Sequence, residues 1–180
     1  MYNKNVSNAH LDIGPGTGWM LRRVNFPGSS SQVVGLVDLN ENSLARSTQR
    51  LRRRGVEPTK HLGSVLRELP VDRQYSSVAA SLLMHCVPGS WAEKGEAFRH
   101  IADATTDDGV FFGGTVLSKD VPHTRLSRGT LRWFNDAGGF HNAEDDLAGL
   151  RTALAAAWGE VELEVIGATA LWTARVPLRR

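Results

Sequence analysis

The stretch that most narrows what this chain can fold into is His10-Leu-Asp-Ile-Gly-Pro-Gly-Thr-Gly18. Four residues read as a short buried strand, and Gly14, Gly16 and Gly18 follow at alternate positions. Trp19-Met20-Leu21-Arg22-Arg23 then opens a predicted helix running to about Val24. Strand, glycine loop and helix in that order present backbone N–H groups to a polar or anionic ligand at the edge of a parallel sheet. Glycine suits the loop because a side chain would block close approach and because positive φ is open to it.

About twenty residues on, Val33-Val34-Gly35-Leu36-Val37 is a second apolar run, and it closes in Asp38. A carboxylate at the tip of the second strand is placed to take both hydroxyls of a ribose. The spacing separates two ligand classes. A dinucleotide loop, G-x-G-x-x-G, would put its third glycine at position 19, where this chain has Trp19, whose indole would crowd a pyrophosphate. The third glycine stands one residue earlier, and Asp12 precedes the loop. The pattern resembles the first motif of class I S-adenosylmethionine-dependent methyltransferases of the small-molecule type, an acid followed by G-x-G-x-G. The resemblance implies that S-adenosyl-L-methionine is the cofactor. It also implies that Asp12, Gly14, Pro15, Gly16, Thr17 and Gly18 line the methionine side, that Asp38, Leu39 and Asn40 meet the ribose, and that Ser64, Met84 and His85 complete the pocket. Ser64 stands where the family commonly has an Asp after the third strand. A hydroxyl there would hold the adenine edge with a bond roughly half as strong as a charge-assisted one.

Composition closes off other classes. At 180 residues the chain is long enough for one α/β domain with a real core, and a hydrophobic content of 41% is ordinary for a globular protein. A net charge of +2 is too small to act as a nucleic-acid signature. With Cys86 alone no intrachain disulfide can form, so a reducing compartment is expected. There is no apolar run of the ~18 residues a membrane span needs, and the polar Met1–Asn5 lacks the core of a signal peptide. The expectation is a cytoplasmic protein with no membrane or nucleic-acid partner.

Later in the chain, Asn40-Glu41-Asn42-Ser43 reads as a helix start, with Leu44, Thr48 and Leu51 at helical spacing. The triplet Arg52-Arg53-Arg54 before Gly55 reads as cations in a last helical turn rather than a nucleic-acid patch. Thr59–Leu62 is a weak third strand, Tyr75–Leu83 the central fourth, and Trp91–Ala104 a helix. Asp107-Asp108-Gly109 reads as a turn before a fifth strand, Val110–Leu117. The loop Met84-His85-Cys86-Val87-Pro88-Gly89 should face the same crevice as the glycine loop. No Asn-Pro-Pro-Tyr-type signature stands there, and Cys86 has no paired base to make it a nucleophile.

Residues 118–146 read as a substrate-side insertion, with His123, Trp133, Phe134, Phe140 and His141 among polar residues. His85, His123 and His141 are the candidate bases, His85 first because its place relative to the sheet is best determined. The histidines and acids have no regular spacing, so no metal site is expected. Leu147–Trp158 is a predicted helix. Gly159–Gly167 and Ala168–Val176 are two strands in a tight hairpin, the ending that distinguishes the methyltransferases from ordinary dinucleotide folds.

The expected architecture is α/β: a single domain, residues 1–180, forming a Rossmann-like three-layer sandwich around a mostly parallel seven-stranded sheet with a C-terminal antiparallel hairpin. The expected activity is methyl transfer to a small organic metabolite. Two other classes compete. One is a methyltransferase-like binding module of weak or no activity, expected if the helices that usually precede the first strand are absent. The other is a nicotinamide oxidoreductase, against which Trp19 and the hairpin count. A short N-terminus would leave an apolar sheet face uncovered, a surface for a homodimer.

Overall fold

The computed structural model describes residues 1–28 and 32–179. The described elements are α1 (Tyr2–Asn5), β1 (Ala9–Ile13), β2 (Val33–Asp38), α2 (Glu41–Arg52), β3 (Thr59–Leu62), β4 (Tyr75–Ser81), α3 (Trp91–Asp103), β5 (Thr105–Val116), α4 (Arg125–Asp136), α5 (Leu147–Ala155), β6 (Trp158–Ile166) and β7 (Thr169–Pro177). The seven strands form one sheet in the order β3-β2-β1-β4-β5-β7-β6. β1 to β5 are parallel, while β7 runs antiparallel to both β5 and β6.

Strand periodicity divides the core in two. Leu11, Ile13, Phe111 and Trp172 face α3 and α5, with Phe98 and Trp158. Alternate positions face the other way: Val34, Leu36, Ala79 and Phe112 pack with Leu44 and Leu51 of α2 and with Tyr2. A sheet buried on both faces explains why β1, β2, β4 and β5 read as apolar runs. The sandwich with its terminal hairpin is the predicted architecture.

Four expectations need correction. The helix expected over Trp19–Val24 is only a 3₁₀ turn, Leu21–Arg23. The chain from Gly18 to Pro27 is too short to repay helix nucleation, and Phe26 before Pro27 disfavours helical backbone. Asp107-Asp108-Gly109 is not a turn before a strand. Tyr75 pairs with Thr105 but Ser77 with Val110, so the residues between form an irregularity inside a longer β5. Trp158 opens β6 instead of closing α5, because its ring stacks on Phe111 at 5.4 Å. The uncovered sheet face is also not apolar. On β6 and β7 it carries Glu160, Glu162 and Glu164 opposite Arg175, Thr173 and Leu171. At the centre Tyr2 covers Phe112, ring edge to face at 5.1 Å.

Helix ends follow their sequence signals. Asn40 caps α2 by accepting from the Asn42 N–H at 2.9 Å. Ser90 and Glu93 form a capping box at α3. Beyond Arg52, Arg52 pairs with Glu57, and Arg54 donates to the Leu21 carbonyl, so part of the basic triplet holds the chain to itself. Among the described residues no helix is long and apolar enough to cross a membrane.

Candidate active site

The parallel strands end on one edge, and the glycine loop, Asp38 and the turn after β4 meet there. Gly14, Gly16 and Gly18 all have positive φ. Gly14 donates to the Val37 carbonyl at 2.8 Å, which locks the loop to the end of β2. A Cβ on Gly14 would stand 2.6 Å from the Leu83 side chain, and one on Gly18 would stand 2.9 Å from the Ser47 backbone. These two glycines therefore do different work: Gly14 borders the crevice, and Gly18 lets α2 pack against the loop. Pro15 bridges them, its carbonyl accepting from Gly18 N–H at 2.8 Å. Thr17 is exposed and meets Arg50 at 3.3 Å rather than the crevice.

Asp38 sits half-buried at the tip of β2, and the Asn40 N–H donates to its Oδ1 at 2.9 Å. Burial raises its carboxyl above the usual carboxylate range, against the pull of the Asn40, Gly16 and Leu39 backbone N–H groups. Beside it lies a crevice of about 240 Å³ bounded by Gly14, Asp38, Leu39, Ser64, Val65 and Leu83. Ser64 is at the predicted place, but its hydroxyl also accepts from the Leu66 N–H at 3.2 Å, closing its own turn. Met84 is fully buried in the core, so Leu83 and Cys86 line the crevice in its stead. Leu82, just past β4, takes φ +57. A branched, non-glycine residue in that conformation is strained, and nothing in the sequence signals it.

His85 lies in the turn after β4 and is 5% exposed. Its Nδ1 faces the Thr115 hydroxyl and the Val116 N–H at 3.4 Å each, and Phe140 covers it edge-on at 4.5 Å. Burial lowers its pKa to about 4, and the charge of Lys94 adds to the effect. His85 is a neutral imidazole at pH 7. The other two candidate histidines stand apart from it. The His141 side chain is exposed, and its contribution is a backbone N–H donated to the His85 carbonyl at 2.7 Å. His123 turns its Nδ1 to Ser127 at 2.9 Å. Its buried Nε2 has no partner among the described residues, and it borders a separate cavity with Ser118, Arg128 and Arg132.

The insertion is anchored by an ion pair that spacing did not reveal. Lys94 of α3 is fully buried, and its Nζ lies 2.7 and 2.8 Å from the two Asp145 oxygens and 2.8 Å from the His141 carbonyl. Asn142 adds a bond to the Val116 carbonyl at 2.8 Å. Over this base stand α4 and a run of rings: Trp133 on Phe134 at 4.8 Å, Phe134 stacked on Phe140 at 4.6 Å, and Phe140 on His85. Among the described residues no group of three metal-binding side chains converges.

Residues 11–109, which contain the loop, Asp38 and the β4 turn, match the family model described as "Methyltransferase domain". The chain is 42% identical to demethylluteothin O-methyltransferase of Streptomyces thioluteus, over 97% of this chain and 75% of that protein. It is 35% identical to the N-methyltransferase vrtF of Penicillium aethiopicum, over 98% of this chain and 73% of that protein. This chain belongs to the class I S-adenosylmethionine-dependent methyltransferases. The fold agrees. The N-methyltransferase NodS of Bradyrhizobium japonicum WM9, solved with S-adenosyl-l-homocysteine, superposes with a TM-score of 0.66 at 13% identity, covering 96% of this chain and 79% of that one.

The methyl donor of the family fits the residues present. Asp38 offers a carboxylate for a ribose, the crevice walls Leu39, Val65 and Leu83 offer apolar surface for a purine, and the loop around Gly14 leaves room for close backbone approach. Of the residues expected to meet the donor, Gly14, Asp38, Leu39 and Ser64 line that crevice, while Asp12, Pro15, Gly16, Thr17, Gly18, Asn40, Met84 and His85 do not, and Leu83 and Val65 line it unexpectedly. Leu83 and Val65 lacked any signal beyond neighbouring a predicted strand end.

Proposed function

We propose that the chain methylates an oxygen or nitrogen of a small, flat aromatic metabolite. The observation that carries this reading is the run of rings Trp133, Phe134 and Phe140, which ends on His85 at the carboxyl end of the central strand β4. Stacked and edge-on rings favour a planar partner. Relatives named as an O-methyltransferase and an N-methyltransferase support oxygen or nitrogen as the acceptor atom.

The bound donor supplies an electrophilic methyl carbon on a sulfonium. What the protein must then add is in-line geometry and exclusion of water. Asp38 and the apolar crevice would hold the adenosine half, and the glycine loop would border the sulfur end. Phe140 and His85 form the wall that orients the acceptor. With a pKa of about 4, His85 is neutral, and its Nδ1 already accepts from the Val116 N–H, so its proton sits on Nε2, which donates to a phenol oxygen and takes no proton from it. That makes it a contact that aims the acceptor lone pair more than a base. The His123 ring is turned to Ser127, and the His141 ring is exposed.

The test is mass spectrometry of S-adenosylmethionine incubated with the chain and a panel of hydroxynaphthoates, naphthols and anilines. A product 14 mass units heavier, lost in Asp38→Ala, is the expected result. A chain that binds S-adenosylmethionine but methylates only non-aromatic acceptors would overturn the substrate class. A folded chain that does not bind the donor would favour a binding module.

A further inference from the structure

The chain's first eight residues are fastened to β1 and β4. Tyr2 is buried, its ring packed edge-on against Phe112 at 5.1 Å and His10 at 6.0 Å, and its hydroxyl donates to Asp12 Oδ2 at 2.7 Å. The Ser81 hydroxyl at the end of β4 also faces that phenol. Behind it a hydrogen-bonded chain fastens the segment: the Ser7 N–H donates to Ser77 Oγ at 2.9 Å, and Ser77 Oγ meets His10 Nδ1 at 2.9 Å. His10 Nε2 stands 3.6 Å from Asp12 Oδ2. Among the described residues Tyr2 is the one hydrogen-bond donor to the Asp12 carboxylate. A short O–H···O⁻ bond of this kind is both strong and directional.

The crevice at β2 and β3 takes the adenosine half of the donor, with Asp38 at β2 and Ser64 beyond β3. The rest of the molecule must run the other way along the strand ends, over β1 and β4, where Asp12 and Ser81 lie. We propose that Tyr2 is a positioning residue for the donor: its hydroxyl fixes the Asp12 carboxylate that receives the ammonium of the donor's amino-acid end. The proposal rests on the donor assignment above and extends it to a segment that lies outside the glycine motif.

The experiment is isothermal titration of the full chain with S-adenosylhomocysteine and with 5′-methylthioadenosine, which keeps the adenosine and the sulfur but lacks the amino-acid end. Wild type should bind S-adenosylhomocysteine more tightly. Tyr2→Phe keeps the ring packing and should weaken S-adenosylhomocysteine about tenfold, the scale of one charge-assisted hydrogen bond, with methylthioadenosine changed less than about twofold. Asp12→Asn, which keeps the shape and removes the charge, should give the same split whatever the folding yield of Tyr2→Phe. Equal loss of both ligands in these variants would mark a merely structural role and overturn the proposal. So would unchanged binding of both. Asp38→Ala should lose both ligands. A wild-type chain that binds neither ligand would overturn the donor assignment itself, a result distinct from the first two.

Discussion

At the scale of single residues, the loop glycines separate stability from binding. Gly18→Ala puts a methyl 2.9 Å from the Ser47 backbone in a residue at φ +71, so neither partner can yield. Left-handed strain and overpacking together should cost about 2–4 kcal/mol, measured by urea unfolding. Gly14→Ala meets the end of a flexible side chain, Leu83, which lines the crevice. It should lower donor affinity in titration while stability falls by only about 1–2 kcal/mol, the left-handed penalty. His85 makes a pH prediction. Its folded pKa, about 4, lies below the unfolded value near 6.5, so the folded state binds fewer protons. The stability it contributes is intact above pH 6.5 and is lost as pH falls toward 4, by roughly 2 kcal/mol at pH 5. Urea titrations of wild type and His85→Gln at pH 7 and pH 5 should show that loss in wild type alone, and equal pH slopes would refute it.

At the scale of elements, α4 and α3 are opposites. α4 buries none of its residues, and Leu126 is 81% and Trp133 63% exposed. The insertion is held from below, by Lys94, Asp145 and Asn142, and not by α4's own packing. Lys94→Met should therefore destabilise the protein by about 3–5 kcal/mol, because it strands the Asp145 charge in the interior. Lys94→Met combined with Asp145→Leu should recover much of that loss, since two apolar side chains of similar volume leave no uncompensated charge. Thermal unfolding of the single and double variants decides it. Lys94 is in helical phase with the buried Ala97 and Ile101, yet a lysine taken by residue type alone reads as a surface cation. Its partner lies 51 residues away, and nothing in the spacing links the two.

At the scale of the whole molecule, the sheet divides into a rigid centre and a loosely covered site. β1, β4 and β5 are buried on both faces, while the cover over their carboxyl ends is the half-exposed insertion. Hydrogen exchange should be slowest in β1, β4 and β5 and at least about a hundredfold faster in α4. Addition of S-adenosylhomocysteine should slow exchange in the Gly14–Gly18 loop and in Leu82–Cys86.

Much of this was readable from local chemistry. The strand, glycine loop and Asp38 report on backbone conformation and strand ends, and both are set within a few residues. The alternation in β6 and β7 likewise gave the hairpin, and the apolar run gave β5. What the sequence could not determine was anything that joins distant positions. The family resemblance puts Met84 in the crevice, but packing turns its side chain into the core and Leu83 lines the crevice. Location alone ranks His85 as a base, and burial beneath Phe140 beside Lys94 then lowers its basicity. Met1–Asn5 reads as polar, yet the Tyr2 hydroxyl reaches Asp12. Local signals fix elements because turns, caps and periodicity are short-range. Burial, pairing and pKa depend on which surfaces the fold brings together, and only the tertiary structure decides that.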